Sequence, residues 1–310
     1  MDKMKAVVCT RYGAPEDVLK MVEVKKPTPK DDEVLIKIVA SALNSGDVRV
    51  RSLDTTGFLK FIMRFVLGFK KPRNAILGVS FAGIVVQTGK KVKDWRLGDD
   101  VFGMAGFRFG AHAEYIALPA NGFFTKKPAN ATFEEAAALP FGGHTAIYFL
   151  EKAGITFLKK PAILIYGATG SVGMAAIQIA HHYQAQVTAV CSEAGKKFVN
   201  ALDVDDVICY DREDFTKTGK TYDIVFDTVG KTSKKRCRPL LSANSRYITV
   251  ADYSVAVERK EQLTLLRALF DSGKYKACID RVYTLDELVE AHKYVDTSRK
   301  KGNVVIRIAE

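Results

Sequence analysis

The sequence predicts an α/β fold in which a doubly wound parallel sheet follows a smaller β-rich domain. Between residues 161 and 253, short apolar runs alternate with amphipathic stretches, as strands and helices do in a parallel sheet. Before about residue 120, short apolar runs are separated by glycine-containing turns, as in a small barrel or sandwich. The 310 residues are enough for about two domains.

Three stretches predict the β-rich part. Residues 33–44 form an apolar run that alternates at its start, residues 78–89 form a run bounded by glycines, and residues 101–119 mix short runs with glycine turns. A helix follows, from the capping residues Asn130 and Thr132 to a predicted stop at Pro140.

The parallel sheet is predicted from five runs and the helices between them. The strands are AILIYG, QVTAVC, DDVICY, YDIVFDTVG and SRYITVA, and the first two helices are SVGMAAIQIAHHYQ and KKFVNAL. Two further helices are expected, at 263–274 and within 284–302, and NVVIRI closes the chain as a strand.

Composition and charge narrow the function classes. Apolar residues make up 47% and charged residues 26%, which is typical of a globular protein. The five cysteines have no C-x-x-C spacing, so we expect neither a zinc cluster nor disulfides, and we expect a cytoplasmic location. The net charge of +12 favours a phosphate-bearing small ligand over nucleic acid, because the densest basic stretch, 231–238, lacks interleaved aromatic residues.

We expect no secretory signal and no membrane span. The first residues contain no apolar core of the kind that signals have. Residues 57–69 are apolar but interrupted by Lys60 and Arg64; such a stretch can lie on a bilayer surface, but we expect a helix packed on its own domain. Residues 161–180 carry no charge, yet three glycines and Pro161 would make a poor membrane helix.

The stretch GATGSVG instead fits a phosphate-binding turn. It lies between a predicted strand and a predicted helix, which is the context that a dinucleotide fingerprint requires. Glycine permits a sharp turn, close approach of a pyrophosphate and close helix packing, and the helix N-terminus attracts the phosphate. Because the spacing is G-x-x-G-x-x-G, a tight core turn is the alternative. The predicted cofactor contacts are Gly167, Ala168, Thr169, Gly170, Ser171, Val172 and Gly173.

The residues after the next strand favour NADPH. An NAD site usually has an acid at the end of that strand, to hold the ribose 2′-hydroxyl. Here the strand ends at Cys191, and Ser192, Lys196 and Lys197 follow, which suit a 2′-phosphate. Glu193 is the exception that keeps NAD open.

The chain resembles the zinc-independent medium-chain dehydrogenases/reductases, in their quinone oxidoreductase and alkenal/enone reductase branch. The resemblance covers nearly the whole chain and rests on the following segments, besides the glycine turn: ALNSGDVRVR, ILGVSFAGIV, GDDVFG, AHAEYIALP, FGGHTAIYFL, YDIVFDTVG and IDRVYTLDELVEAHKYVDTSRKKGNVVI.

The resemblance implies a GroES-like β-barrel domain and a Rossmann domain, with the active site in the cleft between them. The implied limits are 1–119 for the GroES-like catalytic domain, 120–272 for the NADP-binding domain and 273–310 for a C-terminal return to the first. It also implies a homodimer through the edge of the Rossmann sheet, near 246–250.

Roles carry over where residues match. Asn44 and Asp47 match the element near the nicotinamide, and Thr145 matches the threonine whose loop faces its ring; these three are the catalytic candidates. The other implied cofactor contacts are Ser192, Lys196 and Tyr210 at the 2′-phosphate, and Val229 and Gly230 at the fourth strand's end. Each has a structural alternative, because Asn44 could cap a turn, Asp47 could be a surface acid, Thr145 could pack within its helix and Tyr210 could be a half-buried strand residue.

Two departures from the family pattern concern the substrate site. Ser80 stands where many relatives have a carboxylate, and the link 251–262 is short where relatives often have an extra apolar helix.

The implied chemistry is hydride transfer from NADPH without zinc. The zinc-dependent relatives hold a metal with Cys and His, but residues 44–45 and 78–80 contain neither. An electron-poor quinone or α,β-unsaturated carbonyl needs little acid assistance. His112, Tyr115 and Tyr148 are conceivable proton donors, although packing roles fit each better. The alternative to a reductase is a dinucleotide-binding sensor or scaffold on the same fold. Such a protein could also contact RNA through its basic surface.

Overall fold

The computed structural model describes residues 2–53, 57–252 and 255–309, without the side chains of residues 57–60 and 62. The strands are β1 Lys3–Cys9, β2 Leu19–Lys25, β3 Glu33–Leu43, β4 Ser80–Thr88, β5 Asp100–Met104, β6 Tyr115–Pro119, β7 Phe124–Lys126, β8 Ala162–Tyr166, β9 Gln186–Cys191, β10 Asp206–Cys209, β11 Tyr222–Asp227, β12 Leu241–Thr249, β13 Ile279–Thr284 and β14 Asn303–Arg307. The α-helices are α1 Pro15–Val18, α2 Ser45–Ser52, α3 Gly57–Leu67, α4 Phe133–Lys152, α5 Ser171–His182, α6 Lys196–Asn200, α7 Lys260–Asp271 and α8 Leu288–Asp296.

The chain divides into two compact units. Unit 1 contains residues 1–140 and 279–310, and unit 2 contains residues 141–278.

Unit 1 is built on a mixed, mostly antiparallel sheet. Its strand order is β13-β14-β3-β4-β5-β7, and β6 also pairs with β3. Alternate residues of β3, at 34, 36 and 38, enter one apolar core with Phe81 of β4, as the two-residue period of a strand requires. β14 pairs antiparallel with β3, so the C-terminal segment completes the sheet of the N-terminal part.

Unit 2 contains a five-stranded, all-parallel sheet in the order β10-β9-β8-β11-β12. The strand order reverses between β8 and β11. In open parallel sheets, ligands bind beyond the carboxyl ends of the strands at such a reversal. The predicted fold class, a doubly wound parallel sheet with a separate β domain, is confirmed.

The predicted stop at Pro140 is wrong, because α4 continues through this proline to Lys152. Beyond it, Gly142 and Gly143 let the helix lie close to its neighbours in unit 2. A Cβ at Gly142 would be 2.6 Å from the carbonyl oxygen of Ser171, and one at Gly143 would be 2.5 Å from Cδ2 of Leu266. This tertiary packing outweighs the loss of one hydrogen bond at proline.

The two apolar stretches behave differently from each other. Residues 161–180 contain β8 and α5, as the glycine pattern predicts. The predicted helix at 57–69 is present as α3, but the expected packing on its own domain is only partly right. Leu67 is buried, whereas the side chains of Phe61, Phe65, Val66 and Phe69 are more than half exposed. No helix in the described ranges has both the length and the apolar character to cross a membrane.

Candidate functional site

The glycine turn between β8 and α5 lies at the reversal of the sheet. Gly167 has a φ of +80°, and its missing Cβ would lie 2.7 Å from Cγ1 of Val229. At Gly173 a Cβ would lie 2.3 Å from the carbonyl oxygen of Gly167. Both glycines are therefore required by the turn itself.

Gly170 differs from the other two, because packing does not require a glycine there. A Cβ at Gly170 would meet only the Gly167 carbonyl oxygen, at 3.5 Å, which is an ordinary contact. Gly170 is the N-cap of α5, and its helix begins without a side-chain cap. The Gly170 N–H donates to the carbonyl oxygen of Gly167 at 3.0 Å, so the open space at Gly170 leads to the uncapped first turn of α5. Such a helix N-terminus fits a pyrophosphate, which binds through N–H groups and the helix dipole.

The end of β11 lies beside this turn. The Thr228 hydroxyl donates to the carbonyl oxygens of Tyr166 and Gly167, at 2.9 and 3.1 Å. These bonds join the ends of β8 and β11, and they place Val229 against Gly167.

Asp227 organises the loop after β11, and the sequence reasoning missed it. Its buried carboxylate accepts N–H groups from Val229, Gly230 and Thr232 at 3.1, 2.8 and 2.9 Å. An aspartate followed three residues later by glycine, in DTVG, was the available signal, because such side chains commonly bond the backbone just ahead of them.

The predicted 2′-phosphate residues gather beyond β9 and β10. Ser192 follows β9, Lys196 begins α6, and Tyr210 follows β10, where its N–H donates to the carbonyl oxygen of Cys191 at 2.9 Å. A Cβ at Gly195 would lie 2.6 Å from Cγ2 of Thr169, so this segment adjoins the glycine turn.

A surface pocket opens at the same place. It is lined by Glu193, Ala194, Lys196, Lys197 and Asn200. The backbone N–H of Glu193 donates to Oδ1 of Asp211 at 2.9 Å, a second acid that the sequence reasoning missed. Two lysines that could bind a phosphate therefore line the pocket together with one acid, Glu193. A second acid, Asp211, is hydrogen-bonded to the backbone of Glu193.

Thr145 lies within α4, one turn after Gly142 contacts the start of α5. Its hydroxyl donates to the carbonyl oxygen of Phe141 at 2.7 Å. This bond agrees with the alternative in which Thr145 packs within its helix. The hydroxyl oxygen can still accept a hydrogen bond from another group.

Asn44 and Asp47 form a capping box in unit 1. Asn44 caps α2 with its Oδ1, and Oδ2 of Asp47 accepts the Asn44 N–H at 3.1 Å. Oδ1 of Asp47 accepts the N–H of Gly78 at 3.0 Å, which ties α2 to the segment before β4. Asp47 is therefore a buried structural acid. Burial raises the pKa of its carboxyl to about 7, although the hydrogen bonds from the two N–H groups act to lower it.

Asn44 still offers one group to a ligand. Its side-chain nitrogen is buried and has no hydrogen-bond partner among the described residues. The hydroxyl of Ser80 is likewise buried and has no partner among them. Two unpartnered buried polar groups carry an energetic cost unless something binds them. A polar ligand or an ordered water would relieve it.

His112 is not suited to proton donation. It is fully buried, and its Nδ1 lies 3.0 Å from the hydroxyl of Ser41. Burial lowers the pKa of His112 to about 3, so its ring is neutral near pH 7. Tyr115 and Tyr148 are half-buried. Residues 253 and 254 of the predicted short link lie outside the described residues.

Two protein-family models match the chain. The family described as Alcohol dehydrogenase GroES-like domain matches residues 30–129, and the family described as Zinc-binding dehydrogenase matches 202–260 and 252–306. The 2-methylene-furan-3-one reductase of Solanum lycopersicum is 35% identical over 322 residues, which cover 98% of this chain and 79% of that protein. This chain belongs to the medium-chain dehydrogenase/reductase family.

Two further family members resemble the chain over most of its length. The NADPH-dependent alkenal/one oxidoreductase of Arabidopsis thaliana is 30% identical, over 98% of this chain and 79% of that protein. The structure of a quinone oxidoreductase from Coxiella burnetii superposes with a TM-score of 0.83 at 26% identity, covering 99% of both chains. The resemblance inferred from the sequence motifs is confirmed.

Proposed function

We propose that this protein is an NADPH-dependent oxidoreductase that reduces quinones or α,β-unsaturated carbonyl compounds without zinc. The observation that carries the proposal is the open space at Gly170, at the reversal of a parallel sheet and before an uncapped helix. The names of similar full-length proteins, an alkenal/one oxidoreductase among them, support the substrate class.

The proposed roles of the residues follow from their contacts. NADPH supplies the hydride when it is bound. The turn 167–173 and the loop held by Asp227 bind the pyrophosphate side, Ser192, Lys196 and Tyr210 bind the 2′-phosphate, and Thr145 orients the nicotinamide end. For the Asn44 amide in unit 1, the role near the nicotinamide rests on the family resemblance alone. Asp47 positions Asn44 through the capping box. Since His112 is neutral and buried, we assign the proton to solvent.

A direct assay tests the proposal. Purified protein is mixed with NADPH and a panel of quinones and alkenals, and the absorbance of the reduced nicotinamide is followed. We expect oxidation with at least one acceptor class and an unchanged rate after dialysis against a metal chelator. Tight NADPH binding without oxidation across the panel would overturn the proposal and favour a dinucleotide sensor.

Cofactor choice gives a separate prediction at Lys196. Lys196→Glu places a negative charge beside the 2′-phosphate site, so the Kd for NADPH should rise at least about tenfold while that for NADH changes little. Fluorescence titration of both nucleotides measures this.

Lys217→Glu serves as the control, because Lys217 is also exposed in unit 2, and it should change neither affinity. If the wild-type protein bound the two nucleotides equally, the NADPH assignment would be wrong.

We also propose a homodimer and a cytoplasmic location. β12 is the edge strand of the sheet of unit 2, and the unpaired groups of an edge can pair with a second copy, near 246–250. None of the five cysteines is in a disulfide, as reducing compartments favour. Sedimentation equilibrium and cell fractionation check the two points, and a monomer at every concentration would refute the first.

A further inference from the structure

Helix α3 presents an apolar face that the described residues of its own unit leave uncovered. Phe61, Phe65, Val66 and Phe69 are 59%, 63%, 54% and 53% exposed. The Phe69 ring lies edge-on to the rings of Phe61 and Phe65, with centroids 6.4 Å apart in both pairs. These side chains and the neighbouring Arg64, Lys70 and Lys71 are called the α3 surface below.

The opposite side of α3 packs against unit 1, and hydrogen bonds hold the helix there. Leu67 is buried in the core cluster of this unit, and Met63 packs against it. The Tyr12 hydroxyl donates to the carbonyl oxygen of Gly68 at 2.7 Å, and the Arg73 guanidinium donates to that of Phe65 at 2.7 Å. The exposed phenylalanines are therefore held outward by an anchored helix.

Contiguous exposed aromatic rings require an explanation. Single exposed apolar residues are ordinary, but a cluster of them marks a contact with another molecule or a membrane. Three phenylalanines and a valine within nine positions form such a cluster.

The charge around the cluster selects the partner. From residue 55 to residue 93 the sequence contains no Asp or Glu, whereas Lys60, Arg64, Lys70, Lys71 and Arg73 lie in or beside the helix. A second copy of this chain would bring like charges together at a symmetric contact. An anionic lipid surface offers phosphates to the basic residues and an apolar layer to the rings.

We propose that the α3 surface binds an anionic lipid bilayer, with the helix lying in the interface. Interfacial helices bury an apolar face at the boundary of headgroups and acyl chains, with Lys and Arg at the headgroups. This binding is additional to the proposed reductase activity and does not depend on it.

Vesicle co-sedimentation of the full chain tests the proposal. The vesicles consist of phosphatidylcholine alone or of phosphatidylcholine with phosphatidylserine. We expect binding only when phosphatidylserine is present, and weaker binding as salt is added. If the wild-type protein stayed in the supernatant with both kinds of vesicle, the proposal would be overturned.

Paired variants locate the contact. Lys70→Glu/Lys71→Glu should lower the partition coefficient at least about 30-fold. Lys90→Glu/Lys93→Glu changes the net charge equally at exposed residues of the β4–β5 connection and should have a much smaller effect. Equal losses in the two pairs would show that net charge alone drives binding, which would overturn the α3 surface as the site.

A second pair tests the apolar face. Phe65→Ser/Phe69→Ser should weaken binding about tenfold or more, while Leu97→Ser, at a residue 67% exposed elsewhere in unit 1, should not. Circular dichroism checks that each variant is folded. If the phenylalanine variant changed self-association while vesicle binding stayed the same, the face would be a contact between copies and the proposal would be wrong.

Discussion

Replacing Gly173 with alanine should lower the free energy of unfolding by about 2–3 kcal/mol, the size of a typical overpacking penalty. The added Cβ would lie 2.3 Å from the carbonyl oxygen of Gly167 and 2.7 Å from Cα of Ala168. Both atoms belong to the backbone of the turn, so neither can move away cheaply. Elsewhere in a helix the same substitution is stabilising by up to about 1 kcal/mol, so the sign of the effect is informative.

Gly170→Ala is the matched control for this experiment. It adds the same methyl group three residues earlier, where the nearest atom is 3.5 Å away. Thermal and denaturant unfolding of the two variants should give a large loss for Gly173→Ala and a much smaller one for Gly170→Ala, which changes only the N-cap residue of α5. Similar stabilities for both would contradict the close packing of α5 on the turn.

Replacing His292 with leucine should remove part of the protein's sensitivity to acid. His292 is fully buried, and neither ring nitrogen has a partner among the described residues. Burial, with His112 and Arg51 nearby, lowers its pKa well below 6.5. Since the folded pKa is depressed, the ring binds a proton only on unfolding, and stability falls as the pH drops below about 6.5.

The size of the effect follows from one proton. Between the unfolded and folded pKa values of His292, the slope of unfolding free energy against pH should be smaller in His292→Leu by about 1.4 kcal/mol per pH unit. Asp47 contributes with the opposite sign, because its raised pKa of about 7 gives stability that is lost as the pH rises from 3.8 towards 7. Asp47 is present in both proteins, so the difference between their slopes reports the contribution of His292.

Denaturant unfolding from pH 6.5 downwards measures this slope. His182→Gln is the control, since His182 is exposed in α5, and it should leave the slope unchanged. An identical slope in wild type and His292→Leu would show that the buried ring does not control acid stability.

The glycine turn was predictable because its signal is local. The three glycines stand between a strand pattern and a helix pattern, and the demands of turn, approach and packing act on residues close in sequence. The role of Asp227 was also within reach of the sequence, because its three donors lie within five residues of it, but the DTVG signal was not used.

Long-range packing explains the errors. At Pro140 the sequence pattern predicts a helix end, yet Gly142 and Gly143 fit the continuing helix against α5 and α7. The apolar stretch 57–69, interrupted by Lys60 and Arg64, predicts a helix packed on its own domain, but the sequence does not say which of its apolar side chains another element covers. The roles of Asn44, Asp47 and Thr145 toward a cofactor stay predictions, although their local bonds are now defined.

The NADPH affinity of Gly170→Ala tests the central claim most directly. If the turn 167–173 holds the pyrophosphate, a methyl group at its open position should raise the Kd for NADPH at least about tenfold, while the unfolding free energy stays near that of the wild type. Fluorescence titration of NADPH into both proteins gives the answer. An unchanged Kd in a fully folded variant would show that the cofactor does not lie on this turn.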